Sequence, residues 1–145
     1  MTRWQQEASS MIYRALWEVT KMSNSINAFV LRLIKIVANL NCLYDEHIED
    51  YDELIPHVFF GDLTRYVVDL YKSILDCSSD TKRWDELDTI LVYLENGISG
   101  NDEKVQELIA VSFLENLDLT DSNARTLVER FGPYLKKELK MIRGE

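Results

Sequence analysis

The sequence predicts an all-α fold, a single domain of about six to eight helices packed as an antiparallel bundle or as stacked helical pairs. Three observations carry that expectation. Apolar residues recur at helical intervals along most of the chain, and no stretch alternates strictly enough to read as a strand. Five glycines and two prolines in 145 residues leave little material for the many tight turns of an all-β fold. Finally, the stretch Asp102 to Leu117 (DEKVQELIAVSFLENL) is apolar nearly all round. Only a narrow strip through Glu107, Val111 and Glu115 suits water, so other helices must surround it. At 145 residues the chain can bury an ordinary core without staples.

In chain order, Met1 to Met22 reads as a first helix, with Trp4, Ala8, Met11, Ile12, Ala15, Leu16 and Val19 on one side. Ser23, Asn24 and Ser25 interrupt it. Ile26 to Leu40 follows as a second helix with a narrow polar face through Arg32, Lys35 and Asn39; a single bent helix is the alternative. From Asn41 to Glu53 the character changes, because Asp45, Glu46, Glu49, Asp50, Asp52 and Glu53 crowd six acids into nine residues. Mutual repulsion predicts an exposed loop or a short, frayed helix there.

Leu54 to Phe60 is apolar around Pro56 and reads as a turn or short helix pinned into the core. Asp62, after Gly61, is placed to cap the next helix, whose apolar side is Leu63, Tyr66, Val67, Leu70, Ile74 and Leu75. Arg65 with Asp69 and Lys72 with Asp76 are candidate i, i+4 pairs on its wet side. Ser78, Ser79 and Asp80 break the pattern and cap the next helix. Thr81 to Glu95 then presents Trp84, Leu87, Ile90, Leu91 and Leu94, and Asn96-Gly97 reads as a left-handed stop. The segment Asp102 to Leu117 follows, capped by Asn101, Asp102 and Glu103 at the positive end of its dipole. Ser112 and Asn116, one turn apart on it, read as close packing with internal hydrogen bonds. Thr120 and Asp121 start a helix carrying Leu127, Val128 and Phe131. Gly132-Pro133 ends it, and a short basic helix with Leu135, Leu139 and Ile142 completes the chain.

The net charge of −9 is unevenly distributed. Residues 1–44 hold two acids and five bases, residues 122–145 three acids and six bases, and residues 45–121 twenty acids and five bases. The middle segment, at −15, repels phosphate backbones and attracts basic surfaces, which disfavours direct nucleic-acid binding. No secretory signal or membrane span is legible: the most apolar run, Ile26 to Leu40, is short and holds Arg32 and Lys35. Cys42 and Cys77 lack CxxC spacing and read as reduced thiols, so a cytoplasmic protein is expected.

Catalytic equipment is not visible in the sequence. His47 and His57 lie ten residues apart without HExxH spacing, no nucleophile elbow or glycine-rich phosphate loop occurs, and the acidic run lacks the DxDxDG calcium register. The expectation is therefore a non-enzyme with no cofactor and no metal site. The acidic stretch suits a cationic partner instead: Glu46, Glu49, Asp50, Asp52 and Glu53 as electrostatic contacts, with Tyr44 and Tyr51 as aromatic anchors. Asp85, Glu86 and Asp88 form a second, smaller acidic group of the same kind.

Three stretches carry a family resemblance: Glu53-Leu54-Ile55-Pro56-His57 running into Gly61-Asp62-Leu63; Glu107 to Leu117; and Phe131-Gly132-Pro133-Tyr134-Leu135. Over roughly residues 45–140 the chain resembles a family of small helical bacterial proteins. Some of its members are immunity proteins of contact-dependent growth inhibition and related polymorphic toxin systems. The resemblance implies a cytoplasmic protein that neutralises a cognate toxin domain, a basic nuclease and in the first instance a ribonuclease, by binding it. It transfers no catalytic residue. The rival expectation is an adaptor or oligomeric scaffold using the apolar faces of residues 4–40.

Overall fold

The computed structural model describes residues 25–77 and 80–144. The helix expected over Met1 to Met22 lies outside the described residues. Among the described ones are seven α-helices and a π-helical segment, with no strand, so the fold is all-α. We number the helices α1 (Ser25–Ile36), α2 (Leu40–Tyr51), α3 (Pro56–Asp76), α4 (Thr81–Ile98), α5 (Glu103–Glu107), α6 (Ser122–Val128) and α7 (Pro133–Ile142). The π segment, Leu108–Leu114, continues directly from α5.

The helix expected over Ile26 to Leu40 ends at Ile36, and Leu40 already opens α2; other boundaries differ as well. First, the acidic stretch is neither loop nor frayed: α2 is a regular helix through Tyr51. Its apolar members Leu40, Leu43, Tyr44, His47 and Ile48 share one side, which packs on the core and outweighs the repulsion on the other. Asp52 ends it in the left-handed conformation (φ 63°), its N–H donating to the Ile48 carbonyl. Second, α3 begins at Pro56 and runs unbroken for 21 residues, because proline is acceptable in the first turn, where its N–H would be unpaired anyway. Asp62 therefore sits within the helix, not at its cap. It pairs with Arg65, and Lys72 pairs across elements with Asp121 at 2.9 Å in place of the expected i, i+4 partners. Third, α4 runs past Asn96-Gly97 to Ile98. Gly97 stays helical, and its bare Cα lets α1 approach: a Cβ there would lie 2.6 Å from the Phe29 ring.

The Asp102 to Leu117 segment is the axis of the molecule, as its sequence requires. Asp102 caps it, accepting from Lys104 and Val105 N–H groups at 3.0 and 3.3 Å. The π segment packs most extensively on α3 and also contacts α4 and α7. Leu108, Ile109, Phe113 and Leu114 are buried, while Glu107, Val111 and Glu115 form the exposed strip. The wide turn closes with Glu115 N–H donating to Ala110 C=O at 3.1 Å. Carbonyls released near its end are taken up by side chains. Thr64 of α3 donates to Phe113 C=O at 3.0 Å, and Asn116 donates to Ser112 C=O at 2.6 Å. Ser112 itself is buried and bonded to His57.

The last helix is fastened from a distance. The Glu95 carboxylate accepts from the Tyr134 and Leu135 N–H groups at 2.7 and 3.1 Å, placing a negative charge at the N-terminal end of α7. Gly132 makes room for that carboxylate; a Cβ there would meet Glu95 at 2.4 Å.

Candidate functional site

The acids of α2 follow the spacing i, i+1, i+4, i+5 at Asp45, Glu46, Glu49 and Asp50, so a helix gathers them on one side. All four are exposed, as are Tyr51, Asp52 and Glu53 beyond them. The opposite side holds the face in place. Leu40 and His47 are buried, and Tyr44 is half-buried with its ring 6.4 Å from that of Phe59, edge to face. Tyr44 therefore belongs to the packing of α2 more than to its free surface, which corrects its expected role as an anchor. Tyr51 lies on the free surface: it is 45% exposed, and its ring stands 4.9 Å from that of His47.

His47 explains how the face is positioned. Its Nε2 accepts the Ile55 N–H at 2.9 Å, at the start of α3, so one imidazole ties the end of α2 to the beginning of the longest helix. The ring lies edge-on to Phe59 at 5.6 Å. With Nε2 accepting, Nδ1 carries the proton in the neutral ring, and Nδ1 is buried without a hydrogen-bond partner.

The second acidic group is divided among different tasks. Asp85 is exposed. Glu86 is half-buried and engaged on both oxygens, accepting from the Tyr66 hydroxyl at 2.5 Å and from the Asn39 amide. Burial, and then the neighbouring Glu86 carboxylate, hold the Tyr66 phenol well above the usual range, so it remains a donor. Asp88 pairs with Arg130 at 3.8 Å, and that guanidinium also lies 4.1 Å over the Trp84 ring. Glu86 thus joins α4 to the corner between α1 and α2, and Asp88 is partly neutralised. Of this triplet, Asp85 alone keeps the free, exposed character expected of a partner contact.

The ion pairs formed among the described residues are Arg65–Asp62, Lys72–Asp121, Arg83–Asp80 and Arg130–Asp88. None of these takes a carboxylate from α2. Its face consequently presents charge to solvent along about one and a half turns, over roughly 8 Å of helix at ~1.5 Å per residue. Cys42 and Cys77 are free and exposed thiols. Among the described residues, no helix is long and apolar enough to cross a membrane.

Asn39 and Tyr66 were not legible as partners of Glu86, because residues 20 and 47 positions apart carry no sequence signal of contact. The i, i+1, i+4, i+5 spacing of the α2 acids was available as a signal, and so was the matching apolar set on the other side.

A family model described as a domain of unknown function (DUF7674) matches residues 30–144. No curated protein and no solved structure matches the chain.

Proposed function

The chain belongs to this family of domains of unknown function, and from that premise we propose that it is an immunity protein, which binds a cognate toxin domain and blocks it through the acidic face of α2. The observation that carries the reading is the exposed row Asp45, Glu46, Glu49 and Asp50, continued by Asp52 and Glu53, which enters none of the ion pairs among the described residues. Like charges at i, i+4 cost a helix about 0.2–0.5 kcal/mol per pair, and the row contains Asp45/Glu49 and Glu46/Asp50. Such a row gains nothing for folding. It does suit a basic, phosphate-binding cleft, where carboxylates can occupy the positions of backbone phosphates. A nuclease, in the first instance a ribonuclease, is the toxin chemistry that fits. Tyr51 at the end of the row supplies an aromatic contact beside the charges. The resemblance to immunity proteins supports the same partner, and a cytoplasmic location follows from the same reading.

The test is charge reversal in the intact protein. Glu46→Lys, Glu49→Lys and Asp50→Lys together should slow association with the cognate toxin by about 10-fold or more at low salt and abolish protection of toxin-expressing cells. Helical circular dichroism should be unchanged. Wild-type affinity in the triple variant at low salt would remove the α2 face from the mechanism.

The alternative, an adaptor or oligomeric scaffold, rests on Leu31, Ile36 and Val92, which are 46%, 52% and 58% exposed. A stable dimer by light scattering whose interface contains these residues would favour it.

A further inference from the structure

Among the described residues, Nδ1 of His47 is the one buried side-chain nitrogen or oxygen without a hydrogen-bond partner. The residue is 2% exposed, and its ring is packed between those of Tyr51 and Phe59 at 4.9 and 5.6 Å. On its other nitrogen it accepts the Ile55 N–H, which joins the end of α2 to the start of α3. This geometry admits one state of the imidazole. A neutral ring with its proton on Nδ1 satisfies Ile55, whereas a cationic ring carries N–H groups at both positions and accepts nothing. Turning the ring over does not help, because the cation offers no lone pair on either side. Protonation inside the closed joint therefore strands three donors at once: the Ile55 N–H, Nε2–H and Nδ1–H.

We propose that His47 is a proton-operated latch: protonation releases the joint between α2 and α3 and frees the last turn of α2 together with the connector from Asp52 to Leu54. The opened joint takes up a proton that the closed one excludes, so acid favours opening. The titratable groups on the elements around the ring fit this reading. On α2, Tyr51 lies against the ring, Tyr44 is turned to Phe59, and Glu46, Glu49 and Asp50 are exposed. The connector adds Asp52 and Glu53, both exposed. From α3, His57 is bonded to Ser112 and Asp62 to Arg65; from α1, Arg32 and Lys35 are exposed. No carboxylate among the described residues is buried, so a cationic His47 finds its counter-charges outside the joint and not within it.

The opening is local. Leu40, fully buried at the other end of α2, keeps that helix on the core, and α3 is held independently by Phe59, Phe60 and Leu63. The turn that is released carries Glu49 and Asp50, so the acidic face keeps its shape only while His47 is neutral. The proposal does not rest on the toxin reading.

Nuclear magnetic resonance on the full chain between about pH 8 and 5, the range in which histidine changes charge, tests it. Ring-nitrogen shifts of His47 should show the Nδ1–H tautomer at the upper end and the cation at the lower. Over the same range the protection factor of the Ile55 amide should fall at least about 10-fold, while amides of Leu87 to Leu94 in α4 stay protected. His47→Gln presents an oxygen near the place of Nε2 and does not titrate, so Ile55 should lose its pH dependence there. His57→Gln should leave that dependence as in the wild type. A ring that stays neutral to pH 5 overturns the proposal, as does a cationic ring with Ile55 still protected. An equal loss in His47→Gln, its disappearance in His57→Gln, or simultaneous loss of protection in α4 overturns it too. Should His47→Gln fail to fold, the wild type decides alone: the ring and the Ile55 amide must share one midpoint, and two separate midpoints sink the latch.

Discussion

Single side chains in this protein are often fixed by what stands opposite them. Thr64 is buried in α3 with its hydroxyl on the Phe113 carbonyl. Thr64→Val keeps the volume and removes the donor at the end of the π segment, at an expected cost of about 1–3 kcal/mol in denaturant unfolding. His47 works in the opposite sense, as an acceptor. His47→Phe keeps an aromatic ring against Phe59 and strands the Ile55 N–H, again about 1–3 kcal/mol, and protease nicking between residues 52 and 55 should report the loosened joint. Gly97→Ala drives a methyl into the Phe29 ring and Ile109, which should cost about 1–3 kcal/mol through overpacking, although alanine is the better helix former. None of these contacts was legible beforehand. His47 read only as a histidine without metal-ligand spacing and Gly97 as a helix stop, because their partners lie on other helices.

At the scale of the element, α2 shows how composition and spacing can point in opposite directions. Six acids in nine residues suggested a loop, yet the spacing of those acids leaves Leu40, Leu43, Tyr44, His47 and Ile48 free to pack on the other side. Burial of that side decides the outcome, because exposed like charges cost only tenths of a kcal/mol per pair. One expected result follows: Glu49→Lys turns two repulsive pairs, with Asp45 at i−4 and with Glu46 at i−3, into attractive ones, so it should raise the melting temperature slightly while weakening the proposed toxin binding. A change that stabilises the fold and harms the function is what a binding face predicts. The joint between α3 and α6 carries a pH signature. Lys72 holds the Asp121 carboxyl below its usual range, and the Asn123 N–H adds to this; the same pair holds the Lys72 ammonium above its own. The carboxylate's contribution to stability is complete above the unfolded carboxyl pKa and is lost as pH falls through the lower folded one. The lysine's contribution is complete below the unfolded amine pKa and is lost as pH rises through the higher folded one. Asp121→Asn should therefore flatten the acid limb of a stability–pH curve, which thermal melts across that range would read.

Across the whole molecule, the all-α fold and its axis were legible because both rest on the apolar pattern. The strip Glu107, Val111 and Glu115 reached solvent as its four-residue spacing required, while Leu108, Ile109, Phe113 and Leu114 are buried in the segment that packs on α3, α4 and α7. Charge was legible as a total and not as a surface. The acids behind the −15 of residues 45–121 include an exposed row on α2 that enters none of the ion pairs among the described residues, Glu86 with its internal bonds, and Asp62, Asp80, Asp88 and Asp121 in ion pairs. Long-range attraction depends on the overall field as well as the row, so association with a basic toxin should slow steeply as ionic strength rises from about 0.01 to 0.15 M, while dissociation changes little. Stopped-flow mixing at several salt concentrations checks this, and a salt-independent rate would argue for an apolar interface such as the Leu31, Ile36 and Val92 surface.

Periodicity, which is local, determined the helical class, the buried axis, the helix caps at Asp80, Asp102 and Asp121 and the exposure of the α2 acids. Only the tertiary structure decided which carboxylates remain free, because pairing depends on distance in space: Glu86 meets Tyr66 and Asn39, Glu95 meets α7, and the α2 row meets none of the cations in those pairs. The same dependence on space turned Gly97 from a stop into a packing contact and His47 from a surface residue into the joint between two helices.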